Sequence, residues 1–326
     1  MTRRSTSVGR GLAGSSISRG EGPGAVCVDS LKRGRRWSIE FRHARQLRMI
    51  TFLGLTHLAQ AHPMTTSSIE HLYKFRSLAT PELRQRVKPI FSNAEIHFSR
   101  RKHFNDPFDC LPTVSTDFTK AELFAYLEDL SAIEKPALDA RIRTQLNRES
   151  TNDFFNGKRR DEIIGNLRRR IETTADEPGI FSMAREVDHV LMWSHYADSH
   201  RGICLRFKAT DTTPFFGLAQ KVEYQADRPA LNLVCDPPDV IFKKALLTKA
   251  DFWGYENEYR ILDPFKGPGV QTFPHELLDG VYLGANIEPE DRSLVRQWVK
   301  DHASQAEVYE ASFHPDMFAL KFERIE

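Results

Sequence analysis

Hydrophobic and polar positions change rhythm three times along the chain. In HLYKFRSL (71–78) Leu72, Phe75 and Leu78 are interleaved with polar residues, which predicts a strand running into a turn at Thr80-Pro81. PELRQRVKPIF (81–91) predicts a short helix, with Thr80 as N-cap and Pro81 at the first helical position. EIHFS (95–99) alternates and predicts a second strand. FNDPFDC (104–110) predicts a loop, because Asp106-Pro107 breaks helices and Asn105 suits a turn.

From 119 to 175 the apolar residues recur in threes and fours, which predicts helices interrupted at Pro136. The last of these, RRDEIIGNLRRRIE (159–172), is heavily charged, and its basic residues suit a solvated face better than a nucleic-acid surface. Beyond 180 the period returns to short runs. IFSMA (180–184), GICLRF (202–207), KVEYQ (221–225) and EYRILD (258–263) predict strands, joined by turns such as FKATDTTP and CDPPD. DGVYLGANI predicts a strand then a turn, EPEDRSLVRQWVKDHA a helix, and EVYEASF and FALKFERI two closing strands. This order predicts an α+β fold: a split, mostly antiparallel sheet with a helical insertion at about 119–175.

Charge changes the picture at one end. The 326 residues carry a net charge of +2, yet residues 1–48 hold eleven Lys and Arg against three Asp and Glu. The body is therefore mildly acidic. Residues 1–66, basic and rich in Gly and Ser, predict a disordered extension before a domain at 67–326. The run MITFLGLTHLAQA (49–61) imitates a signal peptide, but Gly54, Thr56 and His57 break its apolar core. No apolar run approaches the roughly 20 residues of a membrane span. Cys27, Cys110, Cys204 and Cys235 lack any paired spacing, which disfavours zinc ribbons and redox pairs and suits reduced thiols in a cytoplasmic protein. There is no phosphate loop, dinucleotide fingerprint or serine elbow.

The pieces HLYKFRSL, AEIHFSRRKHFNDPFDC, VLMWSHYADSHRGICLRF, YENEYRIL and VYLGANI, in this order over about 70–324, resemble the bacterial domain of unknown function 2971 family. The family name itself implies no activity. The layout is also similar to the ADP-ribosyltransferase superfamily. That likeness implies NAD as cofactor and transfer to an acceptor that is protein, nucleic acid or small molecule, in defence or toxin systems. It implies a His or Arg on the first strand (His71 or Arg76), Trp193, Ser194 and Tyr196 in the middle, and Glu256 and Glu258 on a late strand as the catalytic carboxylates. The departures are that His, Lys and Arg share the first strand and that no Ser-Thr-Ser precedes the aromatic. Such a carboxylate would stabilise the oxocarbenium character of the transition state, an Arg would hold phosphate, and an aromatic would stack on nicotinamide.

Each residue has a plainer use. Glu256 and Glu258, two apart, suit the polar face of a strand, and Glu258 could pair with Arg260. Trp193 and Tyr196 suit a core. His195, Asp198 and His200 miss metal-ligand spacing, and Asp106 and Asp109 serve a turn as readily as a cation. Two other function classes therefore stand beside the transferase: a non-catalytic nucleotide- or partner-binding module, and a metal-dependent nuclease or phosphoesterase using Asp106, Asp109 and a histidine. Within the central stretch, 193–198 is expected to line a wet entrance and 200–207 to be a buried strand in which Gly202 permits a close approach.

Overall fold

The computed structural model describes residues 69–119, 121–123, 125–126 and 158–325. The expected extension at 1–66 and the middle of the helical insertion lie outside the described residues.

The main sheet has eight strands. In chain order its members are β1 (His71–Arg76), β4 (Gly179–Ala184), β5 (Ile203–Lys208), β6 (Gln220–Lys221), β10 (Glu258–Asp263), β12 (Leu278–Leu283), β13 (Glu307–Phe313) and β14 (Leu320–Arg324). Across the sheet the order is β14-β13-β12-β5-β1-β4-β10-β6. Every neighbouring pair is antiparallel except β12 and β13, which α5 (Pro289–His302) joins as a crossover. The fold is α+β with a mostly antiparallel sheet. Two-stranded pieces pair β2 (Glu95–Phe98) with β11 (Gly269–Thr272), β3 (Thr113–Val114) with β8 (Ala230–Leu231), and β7 (Glu223–Gln225) with β9 (Thr248–Ala250).

Helices cover both faces. On one, α1 (Pro81–Ser92) and α5 bury Phe91, Trp298 and Val295 with Leu72, Phe181 and Phe207 of the strands. Thr80 caps α1 as its sequence predicts, accepting from the Leu83 amide at 3.3 Å. The two helices are also tied by Arg84, whose guanidinium makes two bonds to Asp291 at 2.6 and 3.0 Å. On the other face α3 (Val190–Tyr196) packs over Phe75 and Cys204, while α2 (Lys158–Ala175) and α4 (Pro238–Leu246) enclose Ile180.

The sheet opens in its middle. β1 and β5 pair over six residues, and β4 and β10 over six, but β1 and β4 are in register at one pair, Tyr73 with Ala184. The far end of the β4 edge is closed by Ser99, which exchanges backbone bonds of 2.8 and 2.9 Å with Ile180. Between these two points the strands diverge, and the Ser182 carbonyl is satisfied by the Lys74 ammonium or amine instead of by a ladder bond.

Some local expectations change. The stretch expected as an entrance begins as helix α3, and the turn after it places Asp198, Ser199 and His200 at positive φ. The expected strand KVEYQ is two strands, β6 and β7, split where the buried Val222 amide bonds the Glu258 carbonyl at 2.9 Å. CDPPD leads into α4, because Pro238 suits a first helical position. Glu256 and Glu258 do not share a strand. Residues 251–256 form a 3₁₀ helix, Asn257 takes a left-handed conformation at φ 40°, and only then does β10 begin.

Candidate functional site

A cavity of about 200 Å³ occupies the opening between β1 and β4. One wall is the β1 edge with Lys74 and Arg76, backed by His97 of β2 and by His103. The other is built from Tyr196 at the end of α3, Lys249 of β9, and Glu256 and Glu258 around the start of β10; Asp106 and Asp109 of the 104–110 loop close it.

The acidic wall is a neutralised network. Glu258 accepts from Arg260 on both oxygens, at 2.8 and 2.9 Å, and lies 3.3 Å from the Lys249 Nζ. Asp109 accepts from the same guanidinium at 2.7 Å. Arg260 has no solvent exposure and also donates to the Leu246 carbonyl at 2.7 Å. Burial pushes the Glu258 pKa up, but Arg260 and Lys249 hold it well below the usual carboxylate range. Its carboxylate is a permanent anion with its lone pairs committed.

Glu256 differs. Its Oε1 accepts from the Tyr196 hydroxyl at 2.5 Å and its Oε2 from Lys249 at 2.5 Å. Burial raises its pKa, with Lys249 pulling it down and Glu258 pushing it up. Tyr196 is held in the neutral form by burial and by that carboxylate. A carboxylate whose pKa burial raises, hydrogen-bonded to a hydroxyl on a cavity wall, is an acid–base pair in kind.

The basic wall is not neutralised. Lys74 donates to the Ser182 carbonyl, and its Nζ lies 5.1 Å from the centre of the Phe181 ring. The Arg76 guanidinium makes no hydrogen bond or ion pair to another described residue; burial alone pushes it down to about 10. His97 is held below its ordinary value by burial and then by Arg76, so it is neutral at pH 7. Two other cavity-side or core guanidiniums among the described residues do have counter-charges: Arg260 as above, and Arg206 with Asp279 and Glu307, both at 2.9 Å.

Of the residues singled out from sequence, Arg76, Tyr196, Glu256 and Glu258 meet at this cavity. The others do not line it. His71 lies at the other end of β1, with Nε2 3.0 Å from Asp279. Trp193 has no exposure, donates to the Val187 carbonyl at 2.6 Å, and has Phe75, His200 and Phe322 around its ring, so no face is left for a ligand. Ser194 donates back to the Val190 carbonyl at 3.0 Å, the usual use of serine inside a helix. Lys74 and Lys249 were not singled out, although Lys74 stands on the first strand beside Arg76. Lys249 carried no local signal, because its partners come from the 104–110 loop, the end of the 3₁₀ helix and the start of β10. Cys110 and Cys204 are buried thiols with strongly raised pKa values, unsuited to nucleophilic chemistry. The described residues contain no group of three His, Cys, Asp or Glu placed to hold a metal, and Asp109 is already engaged by Arg260.

The segment that supplies one wall of this cavity is also the part of the chain with a known likeness. Residues 192–261 match the family model described as Protein of unknown function (DUF2971). This segment runs from α3 to β10 and contains Tyr196, Lys249, Glu256, Glu258 and Arg260; the β1 wall with Lys74 and Arg76 lies before it. No curated protein and no solved structure matches the chain. Among the described residues no helix is long and apolar enough to cross a membrane.

Proposed function

We propose that the cavity binds a small phosphate-bearing ligand of the nucleotide class, with Arg76 as the anion anchor. The observation that carries this reading is Arg76 itself. A guanidinium half-buried on a cavity wall without a counter-charge is costly, and it persists where a ligand supplies the missing anion. Its planar fork suits a phosphate, and the neutral His97 beside it adds a ring nitrogen for the same group. The acidic wall presents Glu256 and Asp106 to the hydroxyls or amino groups of such a ligand. One Asp106 oxygen caps the Phe108 amide at 2.8 Å while the other, buried, has no partner.

The test is calorimetric titration with ADP and with inorganic phosphate, on wild type and Arg76→Gln. Binding to wild type that weakens about tenfold or more in the variant supports the reading, since a charged hydrogen bond contributes roughly 1.5–3 kcal/mol. Equal binding by both proteins, or none by either, would overturn it.

NAD-dependent ADP-ribosyl transfer is the second reading, and Glu256 favours it. A cavity carboxylate facing an anion anchor is what such a transfer needs at the ribose. Glu258, committed to Arg260, suits the part less well. Nicotinamide release from NAD that is lost in Glu256→Gln, with ADP binding retained, would support the transferase. ADP binding without turnover would leave the chain a binding module.

A further inference from the structure

We propose that Lys74 is a nucleophilic amine, which forms an imine with a carbonyl compound bearing a phosphate or carboxylate. The proposal rests on the anion-binding reading of Arg76 for the orientation of that compound.

The two lysines of the cavity have opposite surroundings. Lys249 lies within ion-pair distance of Glu256, Glu258 and Asp109, which pin it as a cation. Lys74 has no carboxylate at ion-pair distance among the described residues. Its one hydrogen-bond partner, the Ser182 carbonyl, accepts equally from a neutral amine and leaves that amine its lone pair. Arg76, two residues along the same strand, adds a fixed positive charge. Burial, then Arg76, push the amine down to about 7; Glu258 and Glu256 act the other way, Lys249 acts with Arg76, and the Phe181 ring favours the cation. Desolvation beside a second cation is an established means of activating a lysine.

The opening between β1 and β4 makes this chemistry accessible, because the amine stands on the cavity wall rather than inside a closed ladder. The neutral nitrogen adds its lone pair to the carbonyl carbon, and the carbonyl oxygen takes a proton. Loss of one water from the resulting carbinolamine, with loss of a nitrogen proton, gives the imine. Amine plus carbonyl thus becomes imine plus water, with no oxidant or reductant. Tyr196 and Glu256, on the same cavity, can give and take these protons. Arg76 would hold the anionic end of the compound.

The experiment is reductive trapping with glyoxylate and cyanoborohydride on the full chain, with the modified lysine located by peptide mass spectrometry. Lys74 should label about tenfold or more faster than any other lysine at pH 7, because a surface ammonium is almost wholly protonated there. Labelling should half-saturate near pH 7, fall when phosphate competes, and vanish at this position in Lys74→Arg. Labelling confined to surface lysines, in a protein that still binds phosphate, would overturn the proposal and leave the anion site standing. Labelling of Lys74 that phosphate and Arg76→Gln do not change would instead sink the anion reading and retain the nucleophile.

Discussion

Arg260 is fully buried and Arg76 is half-buried on the cavity wall, and the two should respond in opposite ways to the same substitution. Arg260 is held by Glu258, Asp109 and the Leu246 carbonyl. Replacing it with Gln leaves two buried carboxylates short of their counter-charge, which typically costs about 3–5 kcal/mol. Arg76 has no such partners to abandon, so Arg76→Gln removes an uncompensated cation and should raise the melting temperature in the absence of ligand. Thermal unfolding of the two variants checks this directly. A loss of stability in Arg76→Gln comparable to that in Arg260→Gln would mean that Arg76 has a structural counter-charge. At this scale the sequence was partly legible. The i, i+2 spacing of Glu258 and Arg260 on a strand already suggested a pair, and that pair exists. The Glu256–Tyr196 contact spans sixty positions, and no local pattern announces it.

The elements that define the cavity differ in how openly the sequence declares them. β1, β4, β5 and β10 follow from short stretches that mix apolar and aromatic residues, and Thr80-Pro81 marks the start of α1. The opening between β1 and β4 is not visible in either strand's residues, because strand pairing depends on what each edge meets and not on its own alternation. The 3₁₀ turn at 251–256 is hidden likewise, since Glu256 and Glu258, two apart, suit the polar face of one strand. Gly202 is a feature that both levels share. A Cβ there would meet the Arg76 carbonyl at 2.2 Å, so glycine lets the turn before β5 press against the end of β1. Gly202→Ala must therefore push the end of β1 aside, at a cost of about 1–3 kcal/mol, as overpacked sites show. Because Arg76 is the residue displaced, ligand affinity should fall in the same variant. Unfolding midpoint and calorimetric affinity measured together would show whether the two losses travel together; a destabilised variant with unchanged affinity would separate the turn from the site.

For the molecule as a whole, the cavity's charges predict how stability follows pH. Glu258 has a folded-state pKa below its unfolded value, so it contributes stability above about pH 4, the unfolded carboxylate value, and loses it as pH falls through the folded value. Lys74 acts in the other direction. Its folded pKa of about 7 lies below the unfolded value near 10.4, so between these the unfolded chain binds more protons. Folding is therefore penalised in full below about pH 7, and the penalty is relieved as pH rises toward 10. Above that, Tyr73, Tyr196 and Tyr224, whose buried hydroxyls resist ionisation, oppose further gain because the unfolded chain loses their protons first. Comparing wild type with Lys74→Met isolates the lysine from these other groups. The variant should be the more stable at pH 6, and its advantage should shrink between pH 7 and 9 by at most about 1.4 kcal/mol per pH unit. The measurement is denaturant unfolding of both proteins across that range at constant ionic strength. A difference that stays flat with pH would mean that Lys74 titrates as an ordinary surface lysine, and the nucleophile would go with it.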